Sequence, residues 1–474
     1  VEAHAPLDSV LESLTGDIVI MGGYRGSVLR SSQPPYRQLW VPVKVGLNIR
    51  KVNLEVGLDT EDEETMEQHI FASGMLQNIG PVDISKRLFK KLRECENARQ
   101  GKLRVHDYGY DWRLSPHLLS RKLVEFLEKL PSNQPDVPPE KRGALVIAHS
   151  LGGIITRHAV NRRPELFSGV LYAGTPQRCI NILGPVRNGD AVLLNEKVLT
   201  AQVNFSLRTT FVFLPEDGFC FVDKHTGKEY PIDFYSVDDW IKYRLSPCVS
   251  EPALPPLLPK TSTTFAPLRS LSGSFSNLPL RGRSNSDTKK PPTSTQQPLS
   301  DAIRKAEITK DRTLAPQILS SSSNQDDAAA ASPKTKTRNI AYLARVLAET
   351  KRFRAELAHD PAHQLSNRYP PIAVLYGKDI PTVYAARVSG GRDAIPCADA
   401  YDDLAFHSGD GVVLAREAMP PAGYEIARGG RVSCDRGHIT LLGDLAAVGR
   451  ALEAVVRGRR KGIGLGDGGG GKVL

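Results

Sequence analysis

The sequence contains no apolar run approaching the roughly 20 residues that cross a bilayer as a helix, so no helical span is expected. Its start lacks the charged, apolar and small-residue regions of a secretory leader. The chain begins at Val1 rather than Met, which leaves a removed leader open. Its six cysteines (Cys95, Cys179, Cys220, Cys248, Cys397, Cys434) are far apart and form no CxxC pair. That spacing suits neither a cysteine zinc site nor a small disulfide framework, and a reducing compartment is the expectation. Together these absences predict an intracellular, cytoplasmic protein.

Apolar residues are also scarce, at 40%, and there are 34 prolines, so part of the chain is not expected to pack into a core. The net charge of +10 could suggest nucleic acid, but its location argues otherwise. Between Glu251 and Arg338 there are 13 Lys/Arg against 7 Asp/Glu, and Arg457, Arg459, Arg460 and Lys461 supply the rest. The remainder is close to neutral. A nucleic-acid reader places its basic residues on one folded face with aromatic platforms. Here the excess sits in segments read as solvated tails, able to brush anionic lipid. No nucleic-acid partner, cofactor or metal is expected.

With 474 residues the chain has room for two or three domains, or for one large α/β domain with insertions. The informative stretch is Gly143 to Arg157, GALVIAHSLGGIITR. Leu145, Val146 and Ile147 form a short β-branched run of the kind that becomes a strand buried on both faces. Two glycines and a helical pattern follow. A serine between such a strand and such a helix, here Ser150, has the setting of the nucleophile elbow of α/β-hydrolases. The tight turn needs small residues two before and two after the serine, and Ala148 and Gly152 stand there.

Other elements follow in order. Asp17 to Met21 reads as a buried strand running into Gly22-Gly23-Tyr24-Arg25-Gly26-Ser27, a glycine turn able to aim backbone amides at developing negative charge. It lacks the Lys-Ser/Thr of a P-loop. Glu61 to Glu64 is read as an acidic loop, and Ile84 to Arg99 as helical. Leu103 to Tyr108 is the next strand. Leu119, Leu123, Phe126 and Leu127 give an amphipathic helix within Leu119 to Leu130. Gly169 to Ala173 is a further strand. The aromatic stretch 177–249 is read either as a cap over the site or as an insertion with its own small core. A Ser/Pro/Thr-rich insertion is assigned to 250–337 and expected to be disordered. Order returns with a helix near Ile340 to Leu357, a strand at Ile372 to Tyr376 and a closing helix from Leu442 to Val456. The expected architecture is an α/β-hydrolase fold: a mostly parallel sheet with helices on both faces. Its core comprises 1–249 and 338–457, and 458–474 is a flexible basic, glycine-rich tail.

Five segments together resemble the lecithin–cholesterol acyltransferase family, which also holds phospholipid:diacylglycerol acyltransferases and related intracellular phospholipases. They are Gly23-Tyr24-Arg25-Gly26-Ser27, Tyr110-Asp111-Trp112-Arg113, Ala148-His149-Ser150-Leu151-Gly152-Gly153, Gly174-Thr175-Pro176 and Gly409-Asp410-Gly411-Val412. The resemblance covers Asp17 to Pro247 and Ile340 to Val456. It implies Ser150 as nucleophile, Asp410 as acid and His438 as base, in the chain order Ser, Asp, His that this fold uses. Asp379, Asp402 and Asp403 are rivals for the acid, and His407 and His149 for the base. The oxyanion donors would be the backbone N–H of Leu151 and one from the Gly23–Tyr24 turn. Tyr110, Trp112 and Arg113 are read as flanking the substrate or as packing. Val412 stands where the family usually carries threonine.

The implied activity is transfer of an acyl chain from a phospholipid to a sterol or diacylglycerol-type alcohol at a membrane surface. A phospholipase or lipase that passes the same acyl group to water is the alternative. The other class of reading is a non-catalytic scaffold acting through the insertion. There Arg269-Ser270 and Arg283-Ser284 resemble kinase targets whose phosphates would recruit reader domains.

Overall fold

The computed structural model describes residues 5–45, 48–49, 52–178, 183–192, 195–257 and 332–467. Most of the insertion (258–331) and the end of the tail (468–474) lie outside the described residues, so the Ser270 and Ser284 motifs do too.

A six-stranded parallel sheet forms the centre. Its strands are β1 (Gly16–Met21), β2 (Leu103–Tyr108), β3 (Ala144–His149), β4 (Phe167–Ala173), β5 (Ile372–Gly377) and β6 (Arg431–Cys434). Their spatial order is β2-β1-β3-β4-β5-β6. Every residue of β3 is buried, as its continuous apolar run requires of a strand covered on both faces. The principal helices are α1 (Ala5–Leu11), α2 (Pro116–Glu128), α3 (Leu151–Arg162), α4 (Pro333–Ala355) and α5 (Leu445–Arg460). α2 packs on α3, and α5 packs on α1, β4, β5 and β6. The α1–α5 crossing is close: a Cβ at Gly449 would lie 2.2 Å from the Leu7 backbone nitrogen.

From β1 the chain steps outward to β2, then returns past β1 to lay down β3 and everything after it. Strand order therefore reverses between β1 and β3. In open α/β sheets the crevice at such a reversal, beyond the carboxyl ends of the strands, is where ligands bind. The turn Gly22–Gly23 and Ser150 leave β1 and β3 at that point.

Several elements differ from expectation. The stretch 84–99 is broken into helices Lys86–Glu94 and Glu96–Arg99, because Cys95 between them is extended. Glu61–Glu64 is not a loop but part of a helix, Thr60–Glu64, with Glu63 buried and accepting from the Ser115 amide and hydroxyl. α4 begins at Pro333, inside the range 250–337 given to the insertion; Ser332 caps it by accepting from the Thr335 amide. α5 extends to Arg460, and Arg459, counted among tail charges, donates to the Arg142 carbonyl.

The described part of 177–249 is joined to the rest of the fold, although Val222 and Phe219 belong to a small second cluster with Ala385 and Ala405. Its strand Phe221–Asp223 pairs in parallel with Ile380–Val388 within a second, four-stranded sheet that also holds Glu229–Tyr230 and Leu404–Gly409. Phe205, Phe211, Phe213, Phe221, Phe234 and Trp240 join the main hydrophobic core. No helix among the described residues is long and apolar enough to cross a membrane. Cys95, Cys248, Cys397 and Cys434 are free thiols.

Candidate active site

Ser150 sits between the last residue of β3 and the first of α3, with φ 54° and ψ −123°. A non-glycine residue in that region carries backbone strain of about 1–3 kcal/mol. The turn is held by the Ser150 amide donating to Ala173 at 2.9 Å and by its carbonyl accepting from Gly153 at 2.9 Å. Glycine is required around it. A Cβ at Gly152 would lie 2.4 Å from the Gly22 carbonyl oxygen, and one at Gly23 would lie 2.5 Å from Ser150 Cβ. The two turns at the ends of β1 and β3 thus touch only because both positions lack side chains.

Asp410 follows the strand Leu404–Gly409, so it arrives from the second sheet rather than from an end of the central one. Its placement is nonetheless tight. Oδ1 accepts from the amides of Val412 (3.0 Å) and Val413 (2.7 Å), leaving Oδ2 to meet His438 Nδ1 at 2.8 Å. The His438 amide donates to the Asp410 carbonyl at 3.0 Å, which ties the two residues a second time. Both are buried. Gly377, at the end of β5, and Gly174, just past β4, make room: Cβ atoms there would lie 2.7 Å from Asp410 Cβ and 3.1 Å from His438 Nδ1. Val412 offers no hydroxyl, but Thr382 Oγ1 from the neighbouring strand accepts from the Gly411 amide at 2.9 Å.

Ser150 and His438 line one narrow cavity of about 20 Å³, room for little more than a water. Gly22, Gly23 and Tyr24 form part of its wall, and Met75, Leu76, Ile84 and Ile439 make it largely apolar. Leu151 opens α3, where the first helical amides have no partner within the helix.

Among the rival imidazoles, His149 lies beside His438, ring centroids 4.8 Å apart, and its Nε2 donates to the His438 carbonyl at 2.8 Å. Burial, reinforced by His438, pushes its pKa down to about 3, so it is a neutral prop rather than a proton acceptor. His407 stacks on Tyr384 at 3.8 Å in the second sheet and does not line the cavity. Asp402 and Asp403 precede that sheet's last strand. Asp403 pairs with Arg387 and Lys224 instead.

Tyr110, Trp112 and Arg113 are not cavity residues. Tyr110 donates its hydroxyl to the Gly22 carbonyl at 2.7 Å, and Trp112 Nε1 donates to the Ser27 carbonyl at 3.1 Å. Arg113 grips Asp111 at 2.7 and 2.9 Å. All three are buried; Tyr110 and Trp112 brace the glycine turn from outside the cavity, and Arg113 ties Asp111 to the Leu54 carbonyl. No described residue of 177–249 lines the cavity either. Sequence reading assigned no role to Gly377 or Thr382; their signal exists only once distant strands are paired.

Fold and site together define an α/β protein with a strained serine at the reversal point of its sheet and a buried histidine–aspartate pair on the same cavity. No family model matches the chain. It is similar to the uncharacterized protein YJR098C of Saccharomyces cerevisiae, with 35% identity over 463 residues, which is 96% of this chain. The chain spans 64% of that relative's length.

Proposed function

We propose that this chain is a serine-nucleophile acyltransferase of the α/β-hydrolase fold. It would take an acyl group from a phospholipid or similar lipid ester and pass it to a sterol or diacylglycerol-type alcohol at a membrane surface. The observation that carries the reading is that Ser150, in the strained turn after β3, shares a cavity wall with His438, whose other ring nitrogen is tied to Asp410. A serine hydroxyl is a weak nucleophile until an imidazole accepts its proton, and a carboxylate on the opposite ring nitrogen fixes the tautomer and steadies the imidazolium.

In the reaction, Ser150 Oγ attacks the ester carbonyl carbon while its proton passes to His438 Nε2. The carbonyl oxygen gathers negative charge toward the amides of Leu151 and the Gly23–Tyr24 turn. The alkoxide then leaves with the proton from His438, and Ser150 keeps the acyl group. An acceptor alcohol gives its proton to the same nitrogen and takes the acyl group in a second passage. The apolar wall of Met75, Leu76, Ile84 and Ile439 suits an acyl chain better than a polar substrate. The cavity is too small for a lipid as it stands, so binding requires its wall to open.

A fluorophosphonate probe should label the purified protein covalently, and Ser150→Ala should abolish that labelling. Equal labelling of the variant removes Ser150 from the chemistry. Labelled phosphatidylcholine vesicles, with and without sterol or diacylglycerol, then identify the acceptor. An acyl-alcohol product supports transfer, whereas free fatty acid alone makes water the acceptor and the protein a phospholipase. Failure to label at all leaves a non-catalytic binding protein on this fold.

A further inference from the structure

We infer that His117, His158 and Glu356 form a binding site for a divalent transition ion of the zinc type, independent of the Ser150 cavity. The three residues come from three helices: His117 from the first turn of α2, His158 from α3, and Glu356 from the C-terminal cap of α4. Their ligand atoms all lie within 4.8 Å of one another. Both imidazoles aim Nε2 at a single carboxylate oxygen, Glu356 Oε2, from 3.1 Å for His117 and 2.6 Å for His158.

The rings are held in place before any ion binds. His158 is fully buried, its Nδ1 lies 2.6 Å from the hydroxyl of buried Ser120, and its ring stacks on Phe353 at 4.4 Å. The His117 ring meets both His158 and Phe353 edge-on, at 5.5 and 5.2 Å. A hydrogen bond on the far nitrogen of a ligating imidazole is the usual means of fixing its tautomer and orientation. Two neutral nitrogens and a carboxylate oxygen suit zinc-class ions, whose bonds to them run to about 2.0–2.2 Å, better than magnesium or calcium. Glu356 is 42% exposed, so its side chain can withdraw slightly to admit an ion between itself and the rings.

His117 and Glu356 also line a cavity of about 750 Å³ bordered by α2, α3 and α4. Three protein ligands with an open side is the arrangement that leaves a fourth position for water or a small ligand. Arg121, Arg162, Arg345 and Arg352 on the cavity wall oppose a cation, and Glu63, Glu64, Glu349 and Asp360 offset them. The ion would clip α4, the first element after the insertion, onto two helices of the core.

The same contacts can also arise without metal. The Ser120 hydroxyl would then donate to His158 Nδ1, and both Nε2–H groups to Glu356. The experiment distinguishes the two arrangements. The full-length protein is stripped with a chelator and titrated with Zn²⁺ alone, following heat and melting temperature. About one tight equivalent and a raised melting temperature are expected. His117→Gln and Glu356→Gln, shown by circular dichroism to be folded, should each weaken binding ~10-fold or more. Folded wild-type protein that takes up no zinc overturns the site, as do folded variants that bind as tightly as wild type. Should a variant not fold, Co²⁺ bound to the wild-type protein decides. Intense four-coordinate visible absorption supports the site, and the weak spectrum of six-coordinate cobalt overturns it. Fluorophosphonate labelling, measured in parallel, reports on Ser150 separately.

Discussion

Gly174 packs against the paired residues of the candidate site. It takes φ +58°, and a Cβ there would approach Leu441 Cδ1 to 2.6 Å, His438 Nδ1 to 3.1 Å and Asp410 Oδ2 to 3.2 Å. Gly174→Ala therefore adds a methyl against the contact that orients the imidazole. The left-handed backbone should cost about 1–2 kcal/mol of stability. Displacing His438 should slow fluorophosphonate labelling of Ser150 by roughly 10²-fold, the scale of an ångström misplacement. A variant that melts lower yet labels at the wild-type rate would show that the His438–Asp410 contact does not activate the serine. Sequence placed Gly174 in a triplet with Thr175 and Pro176 that carries part of the family resemblance, but could not say what it faces. Ser150 was more legible, since its turn chemistry is local: a strand, a small residue on each side, a helix. Asp410 and His438 could be named only against rivals. Their contact joins positions 28 residues apart across two sheets, and nothing in the residues beside either one encodes it.

At the level of elements, buried strands were the readable part. β1, β3 and β4 are largely apolar runs whose pattern needs no partner to be recognised, whereas β2 (LRVHDY) is mixed and only partly buried. The second sheet was not readable, because Phe221–Asp223 and Ile380–Val388 pair across a sequence gap that includes the insertion. The start of α4 was hidden for a different reason. Ser332 and Pro333 are a helix-opening pair, but the surrounding Ser, Pro, Lys and Thr read as insertion. One polar junction holds the first elements together. Asp17 of β1 is met by Arg104 (2.7 Å) and His106 (2.8 Å) of β2 and by the Ser132 amide (2.9 Å) on the way to β3. Burial pushes its carboxyl pKa up, but the bonds from His106, Arg104 and Ser132 together outweigh that and hold it well below the ordinary 3.8. A depressed folded-state pKa favours the charged form. Its stabilisation is therefore present above the unfolded value and lost as pH falls below about 4. Asp17→Asn should cost about 1.5–3 kcal/mol at pH 7, the worth of hydrogen bonds to a charged group. The gap in melting temperature from wild type should narrow as pH drops from 5 to 3. A gap that stays constant over that range would mean the carboxylate's charge contributes nothing there.

For the whole molecule, the question is whether the fold needs residues 258–331. The described chain on either side is firmly docked. Leu254 donates to the Pro396 carbonyl at 2.9 Å and accepts from the Ala398 amide at 2.7 Å. On the far side, Asn339 Nδ2 donates to the Cys248 carbonyl at 2.9 Å, and Arg354 donates to the Val212 carbonyl at 2.8 Å. The two sides also meet each other, since Lys336 Nζ lies 2.6 Å from Glu251 Oε1. Glu251 and Lys336, each a few residues from an end of the segment, are therefore close to each other. Closing a short loop between nearby anchors costs little, and doubling a loop's length changes that cost by only about 0.6 kcal/mol. Replacing 258–331 with a flexible Gly/Ser linker of roughly ten residues, which reaches about 17 Å on average, should leave the melting temperature within a few degrees of wild type. Fluorophosphonate labelling of Ser150 should persist, because the described contacts that hold Asp410 and His438 at the sheet's edge run among residues outside 258–331. A linker variant that is insoluble, or folded but unlabelled while the full chain labels, would make the segment part of the working fold. Folded and labelled, it would confine the segment's role to something other than the serine's chemistry.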